Sequence, residues 1–191
     1  MPKPRKGQTR QLRIIAGQWR GRKLNFEPAP ALRPTTDRIR ETLFNWLSPH
    51  IHGARCADLF AGSGALGLEA LSRGALHCDF VDTSASAIRQ IGRQIEILDA
   101  QGRADCHCAD AAKFLAQAER GFNLVFVDPP FGGALATTTC QALGREGILL
   151  AGALIYVETA STDPAPAVPE TWSEYRSKTS GGVNYRLYLA P

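Results

Sequence analysis

The sequence predicts an α/β fold: a doubly wound, mostly parallel sheet with an antiparallel C-terminal edge strand and a small N-terminal β-hairpin extension. Three observations carry this. Apolar strand-like runs alternate with amphipathic helical stretches from Arg55 to Thr159. The first of those strands runs directly into Gly62-Ser63-Gly64-Ala65-Leu66-Gly67. The chain then closes on two alternating segments joined by Gly181-Gly182.

Taken in order, residues 1–11 read as disordered. Residues 12–26 read as two short strands around Gly17 and Gly21, with Trp19 either stacking on a base or packing the hairpin. Residues 27–34 form a Pro-rich loop. Thr35 and Thr36 are placed to cap a helix, with Asp37 in its first turn. Ile39, Leu43, Trp46 and Leu47 recur at helical spacing, which puts Arg38 and Arg40 off the apolar stripe, facing solvent or a ligand. Strands follow at 56–60, 77–82, 104–110, 122–128 and 153–159. Helices lie between them at 63–73, after Ser84, at 111–118 and at 134–145. Residues 160–169 are a Pro/Ala loop, and strands at 172–178 and 183–189 finish the chain.

The 191 residues, 44% hydrophobic and 21% charged, fit a globular chain and exclude a disordered or fibrous one. No apolar run reaches the length of a membrane span, and the basic N-terminus lacks the apolar segment of a secretory signal. Five cysteines without a framework spacing predict reduced thiols and a cytoplasmic location. Cys106-His107-Cys108 resembles a metal fragment. On a strand, however, His107 points away from the two thiols, so no metal is expected. Charge is uneven. Residues 1–55 hold twelve Lys/Arg against three acids, whereas the remainder holds ten against fifteen. A basic arm on a mildly acidic body is the footprint of a polyanion binder.

The glycine loop has the strand-loop-helix context of a nucleotide-type cofactor site, with helix N–H groups at hand. Asp82 ends the next strand, where a carboxylate can hold a ribose diol. Asp58, inside the strand before the loop, faces a methionine ammonium or orders the loop. Asp110 ends the third strand, placed for an adenine amine. Each acid has a structural alternative: helix capping for Asp82 and Asp110, loop organisation for Asp58.

Asp128-Pro129-Pro130-Phe131 ends the fourth strand. Two prolines fix φ and remove N–H donors, leaving carbonyls to point at a ligand. The Asp128 carboxylate and the Pro129 carbonyl suit the two hydrogens of an exocyclic base amine, and Phe131 offers a stacking face. A sulfonium donor is already activated, so alignment carries the chemistry.

DLFAGSGALGLEALSRGA (58–75) and FVDPPF (126–131) resemble the class I S-adenosylmethionine-dependent methyltransferases that act on amino groups. RIIAGQWRGRKL (13–24) and RPTTDRIRETLFNWL (33–47) resemble the RsmD-type 16S ribosomal RNA guanine-N2 methyltransferases. The resemblance implies a Rossmann-like class I methyltransferase fold and methyl transfer to one guanine of small-subunit RNA, within an assembled subunit. It implies that Asp58, Gly62 and Gly64 line the methionine end of S-adenosylmethionine. Asp82 would hold the ribose and Asp110 the adenine, with Phe60, Ser63, Thr83 and Ala111 also expected among the cofactor-binding residues. Asp128, Pro129, Pro130 and Phe131 form the target-base corner, with Asp128 also touching the cofactor. Arg33, Thr35, Thr36 and Asp37 would shape the wall between cofactor and RNA, and Arg20, Arg22, Lys23 and Arg38 are expected to contact the RNA as well. Gly132-Gly133-Ala134 departs from the polar or basic residues often found after this turn. The chain is expected to divide into a basic RNA-contacting arm (1–50) and a methyltransferase domain (51–191), and to act as a monomer. Competing readings are an adenine-N6 or protein-glutamine methyltransferase, a NAD-dependent oxidoreductase, and a non-catalytic RNA-binding factor.

Overall fold

A strand with Leu12 on one face and Gln11 and Arg13 on the other begins the described chain. The computed structural model describes residues 10–26, 37–119 and 121–191. Expectations for 1–9 and 27–36, including Arg33, Thr35 and Thr36, lie outside the described residues. β1 (Arg10–Arg13) pairs antiparallel with β2 (Lys23–Phe26) in the register Leu12↔Leu24. Arg10 and Gln11 thus belong to a strand rather than to a disordered tail. Alternation buries Leu12, Leu24 and Phe26 and leaves Gln11, Arg13, Lys23 and Asn25 exposed on the opposite face.

α1 (Asp37–Leu47) buries Ile39, Leu43, Phe44 and Leu47. Arg40 is buried with them at 0% exposure, contrary to the expectation that it faces solvent or a ligand. The reason is tertiary. Its guanidinium donates to the Asp37 carboxylate at 2.6 Å and to the Arg13 carbonyl at 2.8 Å, and lies 3.8 Å from Glu69. A charged residue is read as outward by default, yet Arg40 shares the i, i+4, i+7 stripe of Phe44 and Leu47. Arg38 is exposed as expected.

The main sheet follows, with β3 (Arg55–Asp58), α2 (Ala65–Ser72), β4 (His77–Asp82), α3 (Ala85–Ile97), β5 (Ala104–Cys108), α4 (Ala111–Ala116), β6 (Phe122–Val127), α5 (Leu135–Leu143), β7 (Leu149–Ala160), β8 (Ser173–Ser180) and β9 (Val183–Leu189). The strand order is β5-β4-β3-β6-β7-β9-β8. The first five strands pair in parallel, and β9 runs antiparallel between β7 and β8. The C-terminal hairpin therefore supplies the antiparallel edge, with the last strand in sequence next to last in space. β7 begins four residues before the predicted start, and β3 stops two residues before its predicted end.

Both sheet faces are covered, as near-continuous apolar strands require. α1, α2, α3 and the hairpin share one apolar cluster with Phe80, Phe126 and Tyr156. α4 and α5 pack on the other face around Val81, Val125, Ile155 and Trp172. The loop from Ile14 to Arg22 is bolted to α2. Glu69 accepts the N–H groups of Ile15 and Ala16 at 2.8 and 3.0 Å, and Arg73 Nε donates to it at 2.7 Å. Trp19 is 7% exposed under the Arg103 guanidinium, whose carbon lies 5.2 Å from the ring centroid. Of its two predicted roles, packing is the one the structure adopts.

None of the five cysteines is bridged, and three of them are buried. His77, Asp79 and Asp105 hold ligand atoms within 4.8 Å of one another. Asp79 is already engaged there by Arg55 at 3.1 Å and His107 at 2.9 Å. Burial pushes the Asp79 carboxyl up. The histidine and arginine partners outweigh that and leave it below its ordinary value. No helix among the described residues is long and apolar enough to cross a membrane.

Candidate cofactor and base site

The carboxyl ends of β3, β4, β5 and β6 bring the predicted acids to one rim, the position where open α/β sheets bind ligands. Asp58, the last residue of β3, is 2% exposed, and its Oδ2 accepts the Gly67 N–H at 3.0 Å. Burial pushes its carboxyl up to about 7. The Gly67 N–H draws it down, while Asp128 and Asp82 raise it further. Asp58 therefore organises the loop directly through the first turn of α2.

Gly62 and Gly64 have φ of +50° and +76°, which a side chain would resist. The Gly62 N–H donates to Asp82 Oδ2 at 2.8 Å, and the Gly64 N–H to the Ala61 carbonyl at 2.6 Å. Three of the N–H groups read from the sequence as open to a ligand, those of Gly62, Gly64 and Gly67, are thus taken by the protein's own acceptors. Asp82 Oδ1 also accepts the Ser84 N–H at 2.8 Å, so this one carboxylate ties the glycine loop to the start of α3. Ser84, as predicted, caps α3 through the Ala87 N–H. Phe60 and Ser63 are half-buried beside the loop, and Thr83 is exposed after Asp82.

Asp110 caps α4 by accepting the Lys113 N–H at 2.8 Å, and that bond holds its carboxyl below the ordinary value. Ala111, next along, is buried. The structural alternatives are thus realised for Asp58, which organises the loop, and for Asp110, which caps α4, whereas Asp82 ties the loop to Ser84 and leaves the cap of α3 to that serine. Each carboxylate retains further acceptor capacity, since an ionised carboxyl offers about four lone-pair sites.

β6 ends in the corner. Asp128 is half-buried, Pro129 buried, Pro130 exposed, and Phe131 is 38% exposed, unusual for an aromatic side chain. Asp128 lies within electrostatic reach of Asp58 and of the Tyr156 hydroxyl. Gly132, at φ +81°, donates its N–H to Asp163 Oδ2 at 3.2 Å, which pins the corner to the loop after β7. Asp163 was not legible as a partner of the corner, because 31 residues separate it from Gly132. Glu158 was missed as well. Its signal is an acid inside the apolar run of β7, near the same carboxyl end.

Arg20, Arg22 and Lys23 are exposed at the hairpin, and Asp37 is exposed while paired with Arg40. Arg13, Ile15, Arg20, Asp37 and Glu41 line an open cleft between the hairpin and α1.

The family model described as "Conserved hypothetical protein 95" matches residues 12–189. The chain is 50% identical to the ribosomal RNA small subunit methyltransferase D of Escherichia coli K12, over 98% of this chain and 94% of that protein. It is 44% identical to the protein of the same name from Haemophilus influenzae, with 93% of each covered. The solved structure of Escherichia coli yhhF superposes with a TM-score of 0.85 at 48% identity, covering 94% of this chain and 98% of that one. Matched along nearly its whole length by the family model and by these relatives, the chain belongs to this family of methyltransferases.

Proposed function

We propose that the protein transfers the methyl group of S-adenosylmethionine to the exocyclic N2 amine of a guanine in 16S ribosomal RNA, releasing S-adenosylhomocysteine. The observation that carries this reading is the Asp128–Phe131 corner, an exposed aromatic beside a proline-locked carboxylate at the rim of the glycine loop. The names of the relatives support ribosomal RNA as the substrate class.

The residues fit a sulfonium cofactor better than a dinucleotide. A pyrophosphate needs unengaged loop N–H groups and a positive field. Here the glycine N–H groups of Gly62, Gly64 and Gly67 point at Asp82, Ala61 and Asp58, and two carboxylates border the loop. A cationic methionine end meets attraction where a pyrophosphate meets repulsion. Asp58 and the loop would hold that end, Asp82 and Thr83 the ribose, and Asp110 with Ala111 the adenine. When bound, the cofactor supplies an activated methyl on a positively charged sulfur.

The protein's part is alignment. The Asp128 carboxylate and the Pro129 carbonyl accept the two N2 hydrogens. This draws the nitrogen lone pair out of conjugation and toward the methyl. Phe131 stacks on the base, worth about 1–3 kcal/mol. As the carbon–nitrogen bond forms and the carbon–sulfur bond breaks, positive charge moves to nitrogen beside Asp128. The departing N2 proton is taken there or by solvent. Guanine N2 is hidden in a paired helix, so the base must be unpaired or flipped.

Residues 1–50 are the RNA-contacting arm in this reading and 51–191 the transfer unit. With only a short basic arm for phosphate contacts, selection rests on substrate shape, which suits an assembled small subunit. We place the enzyme in the cytoplasm as a monomer. The test is incubation with labelled S-adenosylmethionine and small subunits lacking the modification, followed by mass mapping. Label in N2-methylguanosine at one position is expected. Label in an adenosine or a protein, or none at all, overturns the reading.

A further inference from the structure

Methylating N2 requires that guanine be told from other bases, and Asp128 alone does not do this. Adenine and cytosine also carry an exocyclic amine. What guanine adds is an N–H at the neighbouring ring nitrogen, N1, where adenine and cytosine carry an acceptor at the equivalent ring position. A carboxylate beside Asp128 would read that difference.

The fold supplies one. Phe126 pairs with Tyr156 and Val127 with Val157 across β6 and β7. One residue further along the same register are Asp128 and Glu158. Side chains alternate along a strand, so Glu158 continues the face of Tyr156, and Asp128, directly after the last residue of β6, lies with Glu158 within electrostatic reach of the Tyr156 hydroxyl. Neighbouring strands are spaced about 4.8 Å, a separation that suits two acceptors each holding one of two adjacent donors. Glu158 is 3% exposed. The Tyr156 hydroxyl donates to Glu158 Oε2 at 2.9 Å, which orients the carboxylate. Tyr185 stands opposite Glu158 on β9 and is packed against Trp46 and Tyr156.

We propose that Glu158 is the guanine-selecting residue of the base site, accepting the N1–H of the flipped base while Asp128 and Pro129 hold N2. The inference rests on the function proposed above. It does not follow from that function, because an amine-transfer corner works on adenine as well. A base that reaches half-buried Asp128 has entered the layer of Glu158. Adenine or cytosine presented there would set a ring lone pair against a carboxylate.

The test uses 2-aminopurine, which keeps the C2 amine and has a bare N1. Small subunits assembled with guanine or 2-aminopurine at the mapped nucleotide are offered to the wild type and to Glu158→Gln, and kcat/KM is measured for each. The wild type is expected to prefer guanine by about 100-fold or more. Glu158→Gln, whose amide can donate to a bare N1, is expected to bring the two within about tenfold, chiefly by improving 2-aminopurine. Equal use of both bases by the wild type overturns the inference whatever the variant does. An equal fall on both bases in the variant assigns Glu158 a structural role and overturns it too. Failure of the parent reading is visible separately, as absence of methyl transfer in the wild-type guanine arm.

Discussion

Gly17 lies against Ser72 so closely that a Cβ at position 17 would sit 1.8 Å from the Ser72 carbonyl oxygen. Around this point the Gln18 N–H donates to the same carbonyl at 2.8 Å, and Ser72 Oγ bridges the Trp19 N–H and the Ala16 carbonyl. Gly17→Ala faces both that clash and φ of +82°. It is expected to cost about 2–4 kcal/mol and to loosen the loop from α2. Urea unfolding measures this, and a variant as stable as wild type would mean the loop is not seated as described.

Asp58 makes stability depend on pH. Its carboxyl is raised from 3.8 to about 7 in the fold, so the folded state binds the extra proton. Stability from this site is therefore highest below about pH 4, falls as pH rises toward 7, and levels off above. Asp58→Asn is expected to remove that slope while its side-chain oxygen still meets the Gly67 N–H. A cation bound at the loop favours the carboxylate. Wild-type cofactor affinity should accordingly rise with pH up to about 7 and stay flatter in the variant. Thermal melts and binding titrations from pH 4 to 8 check both.

Asp128→Ala is expected to abolish methyl transfer while leaving cofactor affinity within a few-fold. Equilibrium binding alongside single-turnover rates separates the two. Loss of cofactor binding instead would move Asp128 from the base corner to the cofactor pocket.

Phe131 is exposed and its proposed role is a flat face. Phe131→Ala is expected to cost about 1–3 kcal/mol in kcat/KM, and Phe131→Tyr much less. Equal damage from the two substitutions would exclude stacking.

Arg20, Arg22 and Lys23 are exposed, whereas Arg40 is not. Neutralising the first three is expected to weaken RNA binding and to flatten its salt dependence by about 0.7–0.9 in slope for each phosphate left without its cation. Arg40→Gln is expected to act on stability instead, since it breaks the links of the buried guanidinium to Asp37 and to the Arg13 carbonyl. Binding isotherms at several salt concentrations check the first expectation. An unchanged slope removes the hairpin from the interface.

The βα alternation, the glycine loop, the Ser84 cap and the Asp-Pro-Pro-Phe corner were all legible in the sequence. Each is a local matter: apolar period, the φ that only glycine or proline accepts, an acceptor within a few residues of an orphan N–H. What the tertiary structure alone decided depends on partners far apart in the chain. Arg40 points inward because Glu69 and the Arg13 carbonyl lie behind it, and Trp19 packs because Arg103 covers it. The Gly62 and Gly67 N–H groups face Asp82 and Asp58, and Glu158 follows the last β6–β7 pair, Val127 with Val157, only through the register of the two strands. Spacing along the chain encodes which groups a segment must satisfy. Which distant group satisfies them is set when the sheet aligns its strands and the helices close over it.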